Sequence, residues 1–252
     1  MGRASRRQAL VIGLVTSVIF AMPAVTAATH AWGTYHWARA SNPITLSVVD
    51  NVNTAAWDAA LDTARADWNQ SSVLNLLDEV GTSTNLKSCR AINGKVNVCN
   101  GMYGNTGWLG VAQIWVRGSH ITRATTRVND TYLNYPPYNT SAWRQFVMCQ
   151  EIGHDFGLDH QDEDFDNPNL GTCMDYTDDP GTNQHPDQHD YQMLEQIYAH
   201  LDGGASGPAT TPGSGQRDAR APLDWGQAVD DDLYVASLGD GGRLFTFVIW
   251  VR

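Results

Sequence analysis

The 252-residue sequence has few basic residues and no Gly-x-Ser-x-Gly motif, and each shortage argues against a class of function. There are 16 Lys and Arg against 27 Asp and Glu, which gives a formal net charge of −11. A surface of that sign repels nucleic acid and anionic membranes, so neither is an expected partner. No Gly-x-Ser-x-Gly motif is present, so nucleophilic catalysis by a serine lacks support.

The apolar run at the N-terminus, Ala9 to Ala21, is too short to span a membrane comfortably. It follows an arginine-rich start and precedes small residues, which predicts a signal peptide at 1–28 cleaved after Ala27 or Ala28. The alternatives are an uncleaved membrane anchor and, from Ser5-Arg6-Arg7, export by the twin-arginine route. The expected protein is secreted, extracellular and free of the membrane after cleavage.

Four cysteines in an exported chain predict two disulfides, with three connectivities open. Cys89 and Cys99 flank a short polar stretch and are expected to close a local loop. That leaves Cys149 with Cys173, for which two buried free thiols are the alternative.

Hydrophobic periodicity predicts one α+β domain over residues 29–202. The predicted elements are a strand at Ile44–Val49, a helix at 54–70, extended segments at Val73–Val80 and Lys95–Cys99, glycine-broken strands in 107–130, and helices at 142–156 and Gln188–Leu201.

Composition changes after the predicted domain. Residues 203–222 are rich in Gly, Ser, Thr and Pro, which predicts a flexible linker. Residues 223–252 predict a C-terminal β-hairpin around Gly239–Gly242. Because a lone hairpin is marginal in water, this tail is expected to dock onto the main domain or onto a partner.

Residues 150–160 carry the candidate chemistry. On a helix, Gln150 and His154 lie on the same face and can reach one ion. Gly157 then allows a sharp turn that ends the helix and brings His160 back to the same point. Two imidazoles with a third donor leave one position open for water, which is the arrangement of catalytic zinc.

The string EIGHDFGLDH, from Glu151 to His160, resembles the active-site helix of the metzincin metallopeptidases, most of all the matrixin group. The segment Gly171–Tyr176 resembles the methionine turn of the same family. The resemblance implies a zincin-like metallopeptidase domain with a mixed sheet, an active-site helix and a methionine turn. It implies a secreted metalloendopeptidase with one catalytic zinc and a protein or peptide substrate.

The resemblance also implies individual roles. His154 and His160 would bind zinc, and Glu151 would act as general base and acid on the water that the zinc activates. Met174 would support the metal from below, and Tyr176, matched to the astacin and serralysin branches, would stabilise the oxyanion. With Met174 under the metal, a bridge from Cys149 to Cys173 would fasten the turn to the helix.

Gln150 departs from the family pattern, which has a histidine there. A carboxamide oxygen is a weaker zinc donor than imidazole. Gln150 could be the third ligand, could leave that place to water or another side chain, or could bridge an empty site. The alternative function is therefore a non-catalytic secreted binding protein on a protease fold, and a hydrolase using another metal is a third reading.

The remaining polar candidates have simple interpretations. Glu151 and His154 could form a satisfied polar pair. His120 is interpreted as a surface histidine, with a substitute metal ligand as the alternative. The acidic run Asp159–Asn167 is interpreted as a solvated loop, with a calcium site as the alternative. The histidines interpreted as ordinary or adventitious positions are His30, His36, His185, His189 and His200.

Overall fold

The computed structural model describes residues 30–83, 85–203 and 225–252. The predicted signal peptide lies outside these residues, and so does the predicted linker apart from residue 203. Within the described residues, no helix combines the length and apolar character needed to cross a membrane. The strands are β1 (His36–Trp37), β2 (Ile44–Asn51), β3 (Leu74–Val80), β4 (Lys95–Gly101), β5 (Trp108–Arg117), β6 (His120–Asn129), β7 (Gln227–Ala228), β8 (Leu233–Ser237) and β9 (Arg243–Trp250). The helices are α1 (Ala55–Trp68), α2 (Asp130–Leu133), α3 (Ser141–His154) and α4 (Gln188–Ile197), with a 3-10 turn at Leu86–Ser88.

The strands form one mixed sheet, as the α+β interpretation predicted. Its order is β3-β2-β4-β6-β5-β9-β8-β7, with β1 pairing beside β6. Strands β2, β3, β4 and β6 are parallel, whereas β5 and the strands beyond it are antiparallel to their neighbours. Buried runs in β5 and β6 fit strands covered on both faces.

The C-terminal hairpin, β8 and β9, joins this sheet. The sequence left open whether the hairpin docks onto the main domain or onto a partner. In the structure it docks onto the main domain, because β9 pairs with β5 along its length. The Gln113 side-chain amide also donates to Thr246 Oγ1 at 2.9 Å across this pair. The sheet therefore supplies the neighbours that a hairpin needs in water.

Helices α1 and α3 pack against each other and against the sheet. Helix α3 begins where Thr140 accepts a hydrogen bond from the Trp143 amide, a typical N-cap contact. Trp68 of α1 is fully buried and its indole N–H donates to the Cys149 carbonyl at 3.1 Å. Burial of such aromatic side chains between the helices stabilises the layer that carries residues 150–154.

Helix α4 is shorter than predicted, which is a correction. It ends at Ile197, and Leu201, expected on its buried face, is 56% exposed. The physical reason is Arg39, whose guanidinium donates to the carbonyls of Tyr198 and His200. Those contacts take the place of further helical hydrogen bonds and turn the chain toward Arg39.

Both expected disulfides are present, Cys89–Cys99 and Cys149–Cys173. The second bridge joins α3 to the segment that contains Met174, and no cysteine of the described chain is free. The bridge therefore fixes two parts of the candidate site to each other.

Candidate metal centre

The turn after α3 positions the candidate ligands. Gly157 has φ +96°, and a Cβ there would lie 2.2 Å from the Tyr35 carbonyl oxygen, so glycine is required on both counts. The segment from His30 crosses this turn: Trp32 N–H donates to the Gly157 carbonyl at 3.1 Å, and Asp159 N–H donates to the His30 carbonyl at 2.6 Å. These contacts hold His160 close to the end of α3.

His154 and His160 are buried and lie side by side, with ring centroids 4.6 Å apart and planes at 87°. His154 Nδ1 is 2.9 Å from the Leu158 carbonyl oxygen. Because a carbonyl can only accept, Nδ1 carries the hydrogen and Nε2 keeps its lone pair. His160 Nδ1 is 3.3 Å from Glu163 Oε1 and 3.3 Å from Asp232 Oδ2, which leaves its Nε2 in the same role.

The surroundings keep both imidazoles neutral. Burial, with the neighbouring His160 adding to it, lowers the pKa of His154 well below its usual value. Burial and the charge of His30 lower the pKa of His160 to about 3. Neutral imidazole is the form that binds a metal, so the pair is ready to act as ligands without first losing protons.

Gln150 and Glu151 are completely buried, yet neither amide atom of Gln150 nor either carboxyl oxygen of Glu151 has a hydrogen-bond partner within the described residues. Burial raises the pKa of Glu151 well above its usual value, and the charge of Asp155 raises it further. The backbone amides of Ile249 and Ala112 lower this pKa, although they do not reach hydrogen-bond geometry with the carboxyl oxygens. Unpartnered buried polar atoms are costly, and these four belong to two adjacent residues of the motif.

Met174 and Tyr176 lie where two chain segments meet. Gln161 N–H donates to the Met174 carbonyl at 2.6 Å, and Tyr176 N–H donates to the Asp162 carbonyl at 3.0 Å. Met174 is fully buried below α3, so close that a Cβ on Gly153 would lie 2.5 Å from its sulfur. The Tyr176 ring is 4.3 Å from that of His160, and its hydroxyl is unpartnered within the described part of the chain.

The C-terminal hairpin adds two residues that sequence reasoning missed. The Phe247 ring stacks on His154 with centroids 4.3 Å apart and planes at 6°, and Asp232 contacts His160. A cavity of about 410 Å³ lies beside this contact and is lined by Gln150 and Tyr176 together with residues of the hairpin. No local pattern could have found Asp232 or Phe247, since β9 reaches the site through pairing with a distant strand.

Several carboxylates of the acidic run accept hydrogen bonds from within the run itself. Asp162 accepts from the Asp164 amide at 2.8 Å and from the Asn167 side chain at 2.7 Å, and Asp164 accepts from the Asp166 amide at 2.9 Å. These carboxylates bind the loop's own polar groups, in line with the simpler interpretation. A calcium site there stays a prediction.

The other histidines divide into two groups. His185 pairs with Asp67 and His30 pairs with Asp190, as ordinary polar positions do, and the His189 ring packs on that of His30 with centroids 4.7 Å apart. The structure places His120, considered as a substitute ligand, beside Asp202 together with two further histidines, His36 and His200. His200, which is 57% exposed beside Asp202, fits its interpretation as an ordinary polar position.

Zinc fits the donors at the end of α3. Two neutral imidazoles and the unpartnered Gln150 carboxamide would hold it, and Glu151 lies next to them without a partner of its own. The fit is less good than with three imidazoles, because a carboxamide oxygen suits harder ions.

No family model matches the chain, and no curated protein matches it. Among solved structures, similar ones are a crystal structure of myroilysin (TM-score 0.36, 12% identity, 67% of this chain and 87% of that one) and high choriolytic enzyme 1, a hatching-enzyme zinc-protease from the medaka fish Oryzias latipes (0.36, 11%, 66% and 95%). A second myroilysin structure has a TM-score of 0.35 at 11% identity, over 68% of this chain and 99% of that one. TM-scores this low carry no argument, so function has to be argued from the side chains.

Proposed function

We propose that this protein is a secreted zinc-dependent metalloendopeptidase with a zincin-like fold, in which His154, His160 and Gln150 hold the metal. The single observation that carries the proposal is the set of unpartnered polar atoms. Gln150, Glu151 and Tyr176, chosen from the sequence motif alone, are buried or partly buried and lack hydrogen-bond partners among the described residues. Such atoms are expected where a metal, a water and a substrate complete the site.

When bound, zinc supplies Lewis acidity and makes water a nucleophile at neutral pH. Glu151 takes a proton through its free carboxylate oxygens and later gives it to the leaving amine. Tyr176, which lines the cavity, donates its hydroxyl hydrogen to the oxygen of the scissile carbonyl as charge develops there. The cavity beside Gln150 holds the substrate peptide, and Met174 and the Cys149–Cys173 bridge keep the ligands in place.

The test is Glu151→Gln, with Glu195→Gln on the surface of α4 as the matched control. Loss of the general base should lower peptide cleavage by about 10²–10⁴-fold, while zinc content and melting temperature stay close to those of the parent. Cleavage of an unstructured protein such as casein is the readout, with elemental analysis for zinc. Undiminished cleavage in Glu151→Gln would overturn the mechanism.

A second candidate, a non-catalytic secreted binding protein, is favoured by the position of the hairpin. Phe247 stacks on His154, and β9 runs along β5, so part of the site is covered by the protein's own chain. For this candidate the parent protein would cleave no peptide even when loaded with zinc, and Glu151→Gln would change nothing. For the metallopeptidase, cleavage would disappear on chelation and return with zinc.

A further inference from the structure

The C-terminal strand β9 covers the donors of the candidate metal centre. Its Phe247 ring lies flat on the His154 imidazole, with centroids 4.3 Å apart and planes at 6°. His154 and Glu151 are buried, and both carboxyl oxygens of Glu151 are closed to solvent. A catalytic water and a peptide bond would have to reach these two residues, and β9 in this position prevents it.

The carboxyl group of Glu151 lies where β5 and β9 meet. The backbone amides of Ala112 on β5 and Ile249 on β9 both act on it, and a Cβ on Gly110 would collide with it. Gly110 and Ile249 are register partners of the two strands, and Phe247 is the partner of Ala112. Strand β9 therefore passes the proposed general base directly, where a scissile peptide bond would have to lie to be within its reach.

The cavity beside the site does not extend to the general base. It has a volume of about 410 Å³ and reaches Gln150 and Tyr176, whereas neither Glu151 nor His154 is among the residues that line it. Residues 248–252, the end of β9 and the chain after it, form part of its wall. Displacement of β9 would therefore join this cavity to the space beside Glu151 in one open cleft.

The sheet has enough strands to remain when β9 leaves it. Strands β3, β2, β4, β6 and β5 are consecutive neighbours, and three or more strands with a hydrophobic face are sufficient for independent stability. Strand β9 lies on the side of β5 opposite β6 and follows the predicted linker at 203–222. It is held by pairing with β5, by buried side chains such as Phe247, and by the Tyr138 hydroxyl, which accepts from the Arg252 amide at 2.8 Å.

An extended peptide could take the place of β9. A peptide that pairs with β5 would form main-chain hydrogen bonds of the kind that β9 forms, as strands do when they add to a sheet edge. The hydrogen bonds that β9 loses are then regained with the peptide. The remaining cost of opening is the loss of buried contacts such as those of Phe247.

We propose that β9 occupies the place of the substrate and keeps the protein latent, so that cleavage requires an extended peptide segment to displace β9 from β5. This inference rests on the proposed peptidase function and adds its regulation and the form of its substrate, an unfolded or extended segment. The covered site, which favours the non-catalytic candidate, is here the resting state of an enzyme.

The test compares two variants of the full chain that act on β9 in opposite directions. Phe247→Ala removes the ring over His154 and loosens the strand. Gln113→Cys/Thr246→Cys ties β9 to β5, because these register partners already touch at 2.9 Å and opposed antiparallel positions have the Cα separation that a disulfide needs. The controls are Gln113→Ser/Thr246→Ser, which lacks only the cross-link, and Leu61→Ala, a truncation of a buried side chain on α1.

Two measurements separate opening of the site from its chemistry. Zinc-loaded proteins are assayed for casein cleavage, and the same variants carrying Glu151→Gln are assayed for binding of fluorescein-labelled casein. Phe247→Ala should raise both at least about tenfold, since loss of a buried Phe weakens the docked state, and Leu61→Ala should match the parent. The disulfide variant should lower both at least about tenfold relative to its serine control, because a cross-linked strand does not open locally.

If Phe247→Ala and the disulfide variant bind and cleave casein as the parent does, β9 is no barrier and the latency is wrong, while the proposed peptidase stands. Should Phe247→Ala fail to fold, the disulfide variant decides, since cleavage that survives the cross-link overturns latency. If Phe247→Ala gains casein binding but cleaves none with Glu151 intact, displacement of β9 is confirmed and the proposed peptidase is wrong.

Discussion

The molecule has two histidine clusters, which differ in their burial and in the polar atoms that surround them. At His154 and His160 the donors are buried and neutral, and the adjacent Gln150 and Glu151 have polar atoms without partners. Near the protein surface, three imidazoles lie against one carboxylate oxygen of Asp202, and His200 is largely exposed. In the first cluster the neighbouring polar atoms lack partners among the described residues, whereas in the second each imidazole lies against the same carboxylate oxygen.

The two clusters differ most at Gln150, where a carboxamide stands beside the imidazoles, so Gln150→His should give the largest effect. The change replaces a weak carboxamide donor with imidazole and should raise zinc affinity at the buried cluster by more than about 100-fold, since losing an outer partner alone costs about 10–100-fold. Competition with a chelator of known affinity measures it. Gln145→His, a buried position on the same helix, is the control and should leave affinity unchanged. An equal gain in both variants would mean that Gln150 does not face the metal.

The tight packing around Gly153, beneath the buried histidine cluster, predicts the second-largest effect. Gly153→Ala should lower the free energy of unfolding by about 1–3 kcal/mol, because its Cβ would lie 2.5 Å from Met174 Sδ and 2.8 Å from Trp68 Cζ2. Gly239→Ala has no atom within 4 Å of the added Cβ and is the control. Denaturant unfolding measures the difference. Equal stability of the two variants would show that Met174 and Trp68 move aside without penalty.

The contact between Asp232 and His160 in the buried cluster predicts the smallest effect. Asp232→Asn removes the carboxylate 3.3 Å from His160 Nδ1 and should weaken zinc binding by about tenfold, the lower end for a partner behind a ligand. Asp231→Asn makes the same charge change at the neighbouring exposed residue and should have no such effect. Should both variants lose affinity equally, general surface charge rather than the contact with His160 is responsible.

Local patterns predicted much of the fold. The helices predicted at 54–70 and 142–156, and the end of the second near Gly157, follow from side-chain periodicity and from glycine's access to positive φ. The structure has these helices at Ala55–Trp68 and Ser141–His154. The length of α4 could not be predicted, because Arg39, far away in sequence, binds the carbonyls beyond Ile197. Tertiary contacts of this kind override helical periodicity.

The residues of the candidate site also divide into those that local patterns predicted and those that tertiary contacts position. Gln150, His154 and His160 were predicted from their spacing, since a helix face and a turn are local geometry, whereas the roles of Met174 and Tyr176 came from the resemblance to the metzincin metallopeptidases. Asp232 and Phe247 were missed because the pairing of β9 with β5 decides where they lie. His36, His120 and His200 were missed as a group because a strand register and the chain after α4 bring them together.

The place of β9 within the sheet also has a consequence for how the chain is made. Gln113 and Thr246 touch, yet 133 residues separate them, so the sheet closes only after most of the polypeptide has left the ribosome. Until then β5 has an open edge of unpaired amides and carbonyls, which is a template for aggregation. Non-local pairing of this kind slows folding, and a chaperone that shields β5 would protect the chain in the interval.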